Sequence, residues 1–134
     1  MTIDNDGKFF LEPKDRTAKN LNDLVQKCHN ASLKAGWWHD LDHINPNIIP
    51  TKIALIHSEI SEAMEGHRRN KQDDHLPHRK AMEVELADAI IRICDLAGWM
   101  NYDLGGAVAE KLAYNAKRDD HKLEARAKDG GKAY

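Results

Sequence analysis

The sequence predicts an all-α protein, a bundle of four main helices. Three observations favour this fold class. Apolar residues recur at helical spacing in four segments, 18–35, 53–69, 80–100 and 104–118. Glycine or proline lies in the stretches that separate the first three segments. Charged residues make up 31% of the chain, which is typical of long solvated helix faces, and the 41% of hydrophobic residues is enough for a folded core.

The first helix is predicted from about Ala18 to Ala35, because its apolar residues share one face. Gly36 should end this helix in a left-handed conformation. The polar stretch Met1–Arg16 before it predicts an irregular arm. After it, residues 37–50 contain two prolines and no periodicity, which predicts a loop.

The second helix is predicted over Ile53–Arg69, with Pro50 and Thr51 at its start and Thr51 as the N-cap. Apolar residues at helical spacing form its predicted core stripe. They are Ile53, Ile56, Ile60, Ala63 and Met64. A hydrophilic connection, residues 66–78, should join it to the third helix.

The third helix, Lys80–Met100, is apolar on almost every side. Between residues 84 and 97 the charged residues fall on one narrow stripe, formed by Glu85, Asp88, Arg92 and Asp95. Such a helix is expected in the middle of a bundle. Its apolar surface exceeds what three partner helices would cover, so we expect a homodimer or a homotetramer to complete the bundle.

The fourth helix is predicted over Leu104–Arg118, and the charged, glycine-rich remainder suggests a flexible tail, 119–134. The chain length predicts a single domain, 1–134, with its core at about 18–118. The two cysteines, Cys28 and Cys94, are far apart in sequence and are expected to be buried reduced thiols.

Two pairs of carboxylates carry the main functional signal. Each pair is spaced i, i+3 on one predicted helix, which places its two members on one face. The pairs are Glu59 with Glu62 and Glu85 with Asp88. If the two helices pack antiparallel, the pairs can meet, and the repulsion between them would be relieved by a hard divalent cation. All-oxygen ligands favour Mg²⁺ or Mn²⁺ over zinc.

An ordinary amphipathic surface is the alternative interpretation of these acids. Asp88 and Arg92 are spaced i, i+4 and could form a pair within the helix. Charge counting favours the metal site, since residues 53–66 hold three acids and no Lys or Arg, and residues 81–100 hold four acids and one Arg.

The segments Ser58–Glu65 and Glu85–Arg92 together resemble the ExxE…ExxD signature of the MazG-like all-α nucleoside triphosphate pyrophosphohydrolases. The segment Lys111–Arg118 is similar to a later Lys…Asn…Arg helix of that family, and the resemblance covers roughly residues 21–118. It implies a hydrolase that acts on nucleoside or deoxynucleoside triphosphates and releases a nucleoside monophosphate and pyrophosphate.

The same resemblance implies roles for individual residues. Glu59, Glu62, Glu85 and Asp88 would hold Mg²⁺, and a metal-activated water would attack phosphorus in line. Glu59 or Glu62 would also accept the proton of that water. Lys111 and Arg118 would neutralise phosphate oxygens, and Asn115 would bind the sugar or a phosphate.

Several of these residues have simpler interpretations. Lys111, Asn115 and Arg118 could be a solvated helix face. Trp37 and Trp38 could both be core residues, as large aromatics usually are, or one of them could stack on the nucleobase.

Two other function classes stay open. A set of histidines and aspartates is similar to the ligands of HD-type metal-dependent phosphohydrolases, although His39-Asp40 lies in a predicted loop. That set is His29, His39, Asp40 and His57, with Asp88 or Asp95. A non-enzymatic helical dimerisation module with purely structural acids is the other possibility. Loop histidines at 67, 75 and 78 could bind zinc, but solvated histidines fit their spacing better.

The bulk composition excludes some partners. A net charge of −2 creates no basic field to attract a nucleic acid polymer or an anionic membrane. No apolar run approaches the ~18 residues of a membrane span, and the polar start does not read as a signal peptide. We therefore expect a cytoplasmic protein whose partners are a nucleoside triphosphate and copies of itself.

Overall fold

The computed structural model describes residues 2–3, 6–7, 9–10, 14–118, 120 and 122–133. Apart from two short strands, the regular secondary structure of these residues is helical, which confirms the all-α class. The elements are β1 (Thr2–Ile3), β2 (Phe9–Phe10), α1 (Thr17–Lys34), a 3₁₀ turn (Asp42–Ile44), α2 (Ile48–Arg68), α3 (Ala81–Trp99), α4 (Leu104–Lys117) and α5 (Leu123–Arg126). No described helix has both the length and the apolar character needed to cross a membrane.

The chain divides into two compact units. One comprises the chain ends, Met1–Asn20 and Gly105–Tyr134, and the other comprises Leu21–Leu104. In the first unit, β1 and β2 pair antiparallel, so the arm predicted as irregular contains a small β-ladder. The helix α5 lies within the predicted tail. The single domain stays a prediction.

The helix α1 begins and ends within one residue of its predicted bounds. Gly36 follows it with φ of +80°, as predicted for a left-handed C-terminal residue. Most side chains would be strained at that φ, so the local turn favours glycine.

The helix α2 begins five residues before the predicted Ile53, at Ile48. Pro50 is tolerated there because the N–H groups of the first helical turn have no intrahelical acceptor. The predicted N-cap at Thr51 is wrong, because Thr51 is the fourth residue of the helix. Its hydroxyl donates to the carbonyl oxygen of Asn47 at 2.7 Å. The loop predicted over residues 37–50 therefore ends before Ile48, and Pro50 lies within the helix.

A small core lies between α1 and α3. It is formed by Val25 and Cys28 on α1 and by Cys94 and Ala97 on α3, with Leu21 and Leu104 packed against it. Both cysteines are buried free thiols, as predicted. Burial is the main cause that raises the pKa of both thiols, in Cys94 to about 11.

The helices α2 and α3 pack against each other antiparallel. Gly66 near the end of α2 lies against Ala81 at the start of α3, and a Cβ on Gly66 would be only 3.0 Å from that of Ala81. Two turns earlier on α2, Glu59 contacts Arg92, much farther along α3. This direction brings the acidic residues of the two helices together.

The predicted core stripe of α2 is largely wrong for the single chain, since Ile53, Ile60 and Met64 are exposed and Ala63 is buried. The apolar face of α3 is also exposed, at Leu86, Ile90, Ile91 and Ile93. An apolar pattern identifies the face that avoids water, but it does not identify what covers that face.

Candidate metal site

Three carboxylates of the second unit converge where α2 and α3 meet. Glu59, Glu85 and Asp88 each offer one oxygen, and these oxygens all lie within 4.8 Å of one another. Glu59 is buried and the other two are half-buried. We call these three residues the acidic trio. The trio contains Glu59 from the first predicted i, i+3 pair and both members of the second.

The fourth predicted ligand, Glu62, is exposed and lies outside the acidic trio. Its charge is nevertheless close enough to contribute to the raised pKa of Glu85. The i, i+3 spacing therefore brought Glu62 near Glu85 but not into the group of converging oxygens.

Burial and mutual repulsion perturb the acidic trio. Burial is the largest cause that raises the pKa of Glu85 to about 7, followed by a hydrogen bond with Glu59 and by the charges of Glu62, Glu59 and Asp88. Burial and the charge of Glu59 also raise the pKa of Asp88. In the metal-free protein, a proton on Glu85 thus relieves part of the repulsion that a cation would otherwise relieve.

The single arginine of α3 pairs across the helices. The Nε of Arg92 donates to Oε1 of Glu59 at 2.5 Å, so the Asp88–Arg92 pair considered from spacing is not the hydrogen bond that forms. The charge of the guanidinium offsets part of the rise in the pKa of Asp88. The guanidinium of Arg92 therefore pairs with one of three converged carboxylates, which leaves an excess of negative charge at the site.

Sequence reasoning missed one further acid, Asp73, in the connection between α2 and α3. Its charge contributes to the raised pKa of Asp88. Its Oδ1 accepts the backbone N–H groups of His75 and Leu76, at 2.9 and 2.7 Å, which fixes the turn that places it. Nothing in the sequence indicated that Asp73 lies near Asp88, because the position of Asp73 depends on the path of the connection between the two helices.

The two tryptophans of the 37–50 stretch differ in environment. Trp38 is 8% exposed, and its ring stacks on Trp99 with centroids 4.1 Å apart. The ammonium of Lys52 lies over the Trp38 ring, 4.2 Å from its centroid, so both ring faces are covered. Trp37 is 69% exposed. Only Trp37 has a ring face available for a nucleobase.

Asp95, the last acid of the α3 stripe, has a structural role. Its carboxylate accepts hydrogen bonds from the Ser32 hydroxyl at 2.8 Å and from Trp38 Nε1 at 2.9 Å. His29 Nδ1 lies 2.8 Å from the same carboxylate. These contacts tie α1 and the following loop to α3.

The histidines do not gather as an HD-type ligand set would. His29 contacts Asp95, while His39, Asp40 and His57 are exposed. Within the described part of the chain, the acidic trio is the one group of three or more potential metal ligands, and it contains no histidine. The loop histidines likewise form no such group among the described residues.

The remaining predicted substrate residues belong to the unit of chain ends. Arg118 donates two hydrogen bonds to Asp120, at 3.0 and 2.6 Å. The ammonium of Lys111 lies over the Tyr114 ring, 4.7 Å from its centroid. The Oδ1 of Asn115 is buried and accepts no hydrogen bond from any described residue. Arg118 is thus ion-paired rather than simply solvated.

Comparisons with known proteins add no relative: no family model, no curated protein and no solved structure matches the chain. What the site can do chemically follows from its own residues. Three oxygen donors with a negative excess suit a hard divalent cation, and the nearby Arg92 is suited to an anion.

Proposed function

We propose that this chain is a Mg²⁺-dependent nucleoside triphosphate pyrophosphohydrolase of the MazG-like kind, which releases a nucleoside monophosphate and pyrophosphate. The observation that carries the proposal is the convergence of Glu59, Glu85 and Asp88 from two helices, with oxygens within 4.8 Å. The ExxE…ExxD resemblance assigns the same residues to the metal. Both nucleoside and deoxynucleoside triphosphates are candidate substrates.

The donor set fits the proposed metal. Carboxylate oxygens are the ligands that Mg²⁺ and Mn²⁺ prefer. The pKa of Glu85 is raised first by burial and then by the neighbouring carboxylates, and a bound cation would offset both effects. Bound Mg²⁺ would neutralise phosphate charge and lower the pKa of a coordinated water. Glu85 and Asp88 would give up any proton they carry when the cation arrives.

Other residues are proposed to take part in catalysis or substrate binding. Of the two candidates for accepting the proton of the attacking water, Glu59 and Glu62, we propose Glu62, because it is exposed and near Glu85. Trp37, with its exposed ring, is the proposed partner for the base. Lys111, Asn115 and Arg118 are proposed phosphate and sugar ligands through the resemblance, and Arg118 would exchange Asp120 for a phosphate oxygen.

The test measures pyrophosphate release from the common ribonucleoside and deoxyribonucleoside triphosphates, with and without Mg²⁺. We expect Mg²⁺-dependent turnover that Glu62→Gln reduces by about 10²–10⁴-fold, the usual size of a lost general base. The matched control is Glu65→Gln on the same helix, where the carboxylate makes only surface ion pairs with Arg68 and Arg69.

Full activity in Glu62→Gln would remove Glu62 from the mechanism. Absence of turnover together with absence of any Mg²⁺-dependent rise in Tm would remove the enzyme proposal and favour a helical dimerisation module. The HD-type alternative is tested in the same assay, since it requires that His39→Ala abolish activity and Glu59→Ala preserve it.

We also propose that the chain forms a homodimer, or a homotetramer built from dimers, through α2 and α3. Support comes from the large apolar side chains that these helices expose in the single chain. They are Ile53, Leu55, Ile60 and Met64 on α2 and Met82, Leu86, Ile90, Ile91 and Ile93 on α3. Large apolar side chains that stay exposed in a single chain are typical of an interface. A partner's helices would complete the four-helix bundle.

A further inference from the structure

Arg92 lies beside the acidic trio and is hydrogen-bonded to one of its members, Glu59. Its Nε donates to Oε1 of Glu59 at 2.5 Å. The Glu59 side chain is only 8% exposed, whereas the Arg92 side chain is 42% exposed. The guanidinium therefore has its Nε edge against a buried carboxylate, on a side chain that is otherwise partly open to water.

The other donors of Arg92 are available. A guanidinium carries five N–H donors in a planar fork, and only Nε makes a hydrogen bond to a described residue. The Nη groups therefore donate to no described residue. Because Glu59 binds Nε, the plane of the fork is held while its outer donors stay open.

We infer that Arg92 binds the substrate: Glu59 holds its Nε, and its Nη groups donate to a phosphate oxygen of the triphosphate at the acidic trio. This inference rests on the proposed function. A triphosphate is more negative than the trio can accept without cations, and a guanidinium fork matches the geometry of phosphate oxygens. Arg92 belongs to the same unit as the trio, unlike Lys111 and Arg118.

A simpler role for Arg92 is a counter-ion for Glu59. The two roles predict different responses to its removal. In both, loss of a positive charge beside the trio leaves cation binding as tight as before or makes it tighter. Only the substrate-binding role predicts that affinity for a polyphosphate falls at the same time. The two measurements then change in opposite directions.

The experiment compares Arg92→Gln and Arg92→Lys with the wild type and with Arg79→Gln. Arg79 is the matched control, because it pairs with Glu83 on the exposed surface at the start of α3. Mn²⁺ affinity is measured by electron paramagnetic resonance without nucleotide. With Mg²⁺ present, KM for the best triphosphate and the inhibition constant of inorganic triphosphate are measured.

We expect Arg92→Gln to bind Mn²⁺ at least as tightly as the wild type, and to raise both KM and the inhibition constant about tenfold or more, the size of a lost charged hydrogen bond. Arg92→Lys keeps a cation beside Glu59 but lacks the fork, so it should fold normally and raise both constants several-fold. Arg79→Gln should change neither constant.

Unchanged KM and inhibition constants in folded Arg92→Gln, or in Arg92→Lys if the first variant does not fold, would overturn the inference while the proposed function stood. A wild-type protein that binds no Mn²⁺ and hydrolyses no triphosphate would remove the proposed function and this inference with it.

Discussion

At the scale of single residues, Glu85 makes the stability of the protein depend on pH. Its pKa in the folded protein is about 7, above the ordinary value of 4.5, so the folded state binds this proton more tightly than the unfolded state. The associated stabilisation is fully present below about pH 4.5 and is lost as the pH rises through 7. The raised pKa of Asp88 acts in the same direction.

We therefore expect the metal-free protein to lose on the order of 1–2 kcal/mol of stability between pH 5 and pH 8, a partial value because the site is partly open to water. Thermal unfolding in a chelator, scanned over pH, measures this loss. The isosteric Glu85→Gln should flatten the slope. An equally steep slope in that variant would show that the trio is not its source.

The two adjacent tryptophans form a matched pair at the same scale. Trp38→Phe keeps an aromatic ring for the stack on Trp99 but removes the N–H that donates to Asp95. We expect a loss of about 1–3 kcal/mol in the free energy of unfolding, measured with urea. Trp37→Phe, at an exposed position, should change it by less than about 0.5 kcal/mol. Equal effects would contradict the assigned burial.

At the scale of helices, α1 and α3 approach closely because α3 has a glycine at position 98. A Cβ on Gly98 would lie 2.5 Å from the Cβ of His29, an atom too close to the backbone of α1 to move aside. Helix propensity favours alanine over glycine by about 1 kcal/mol, but overpacking costs about 1–3 kcal/mol. The close approach should outweigh propensity.

Gly98→Ala is accordingly expected to destabilise the protein by about 1–2 kcal/mol in urea unfolding. Ala87→Gly, at an exposed position of the same helix, measures the contribution of propensity alone. Stabilisation by Gly98→Ala would mean that α1 and α3 are not packed this closely.

At the scale of the whole molecule, the proposed oligomer depends on the apolar side chains that α2 and α3 expose in the single chain. Ile90 on α3 is 50% exposed in the single chain, and a charge there would be buried in the proposed interface. We expect Ile90→Glu to convert the oligomer to monomers, as measured by light scattering after size-exclusion chromatography. Leu33→Glu on α1, at a residue 46% exposed, is the matched control and should leave the oligomer intact. A wild-type monomer would contradict the proposed dimer.

The sequence by itself determined the local features of this protein. The bounds of α1, α3 and α4 lie within one residue of their predicted positions, and the left-handed turn at Gly36 is as predicted. It also placed Glu59 on one helix and the Glu85–Asp88 pair on another. These features depend on residues within about four positions of one another, which a sequence displays directly.

Only the tertiary structure decided which side chains meet. It joined Arg92 to Glu59 rather than to Asp88, placed Asp73 near the trio and left Glu62 outside it. It also buried Trp38 and exposed Trp37, neighbours that composition cannot tell apart. The physical reason is that contacts between helices depend on how each helix is rotated and where the helices cross, and these are set by packing over the whole interface rather than by spacing along one helix.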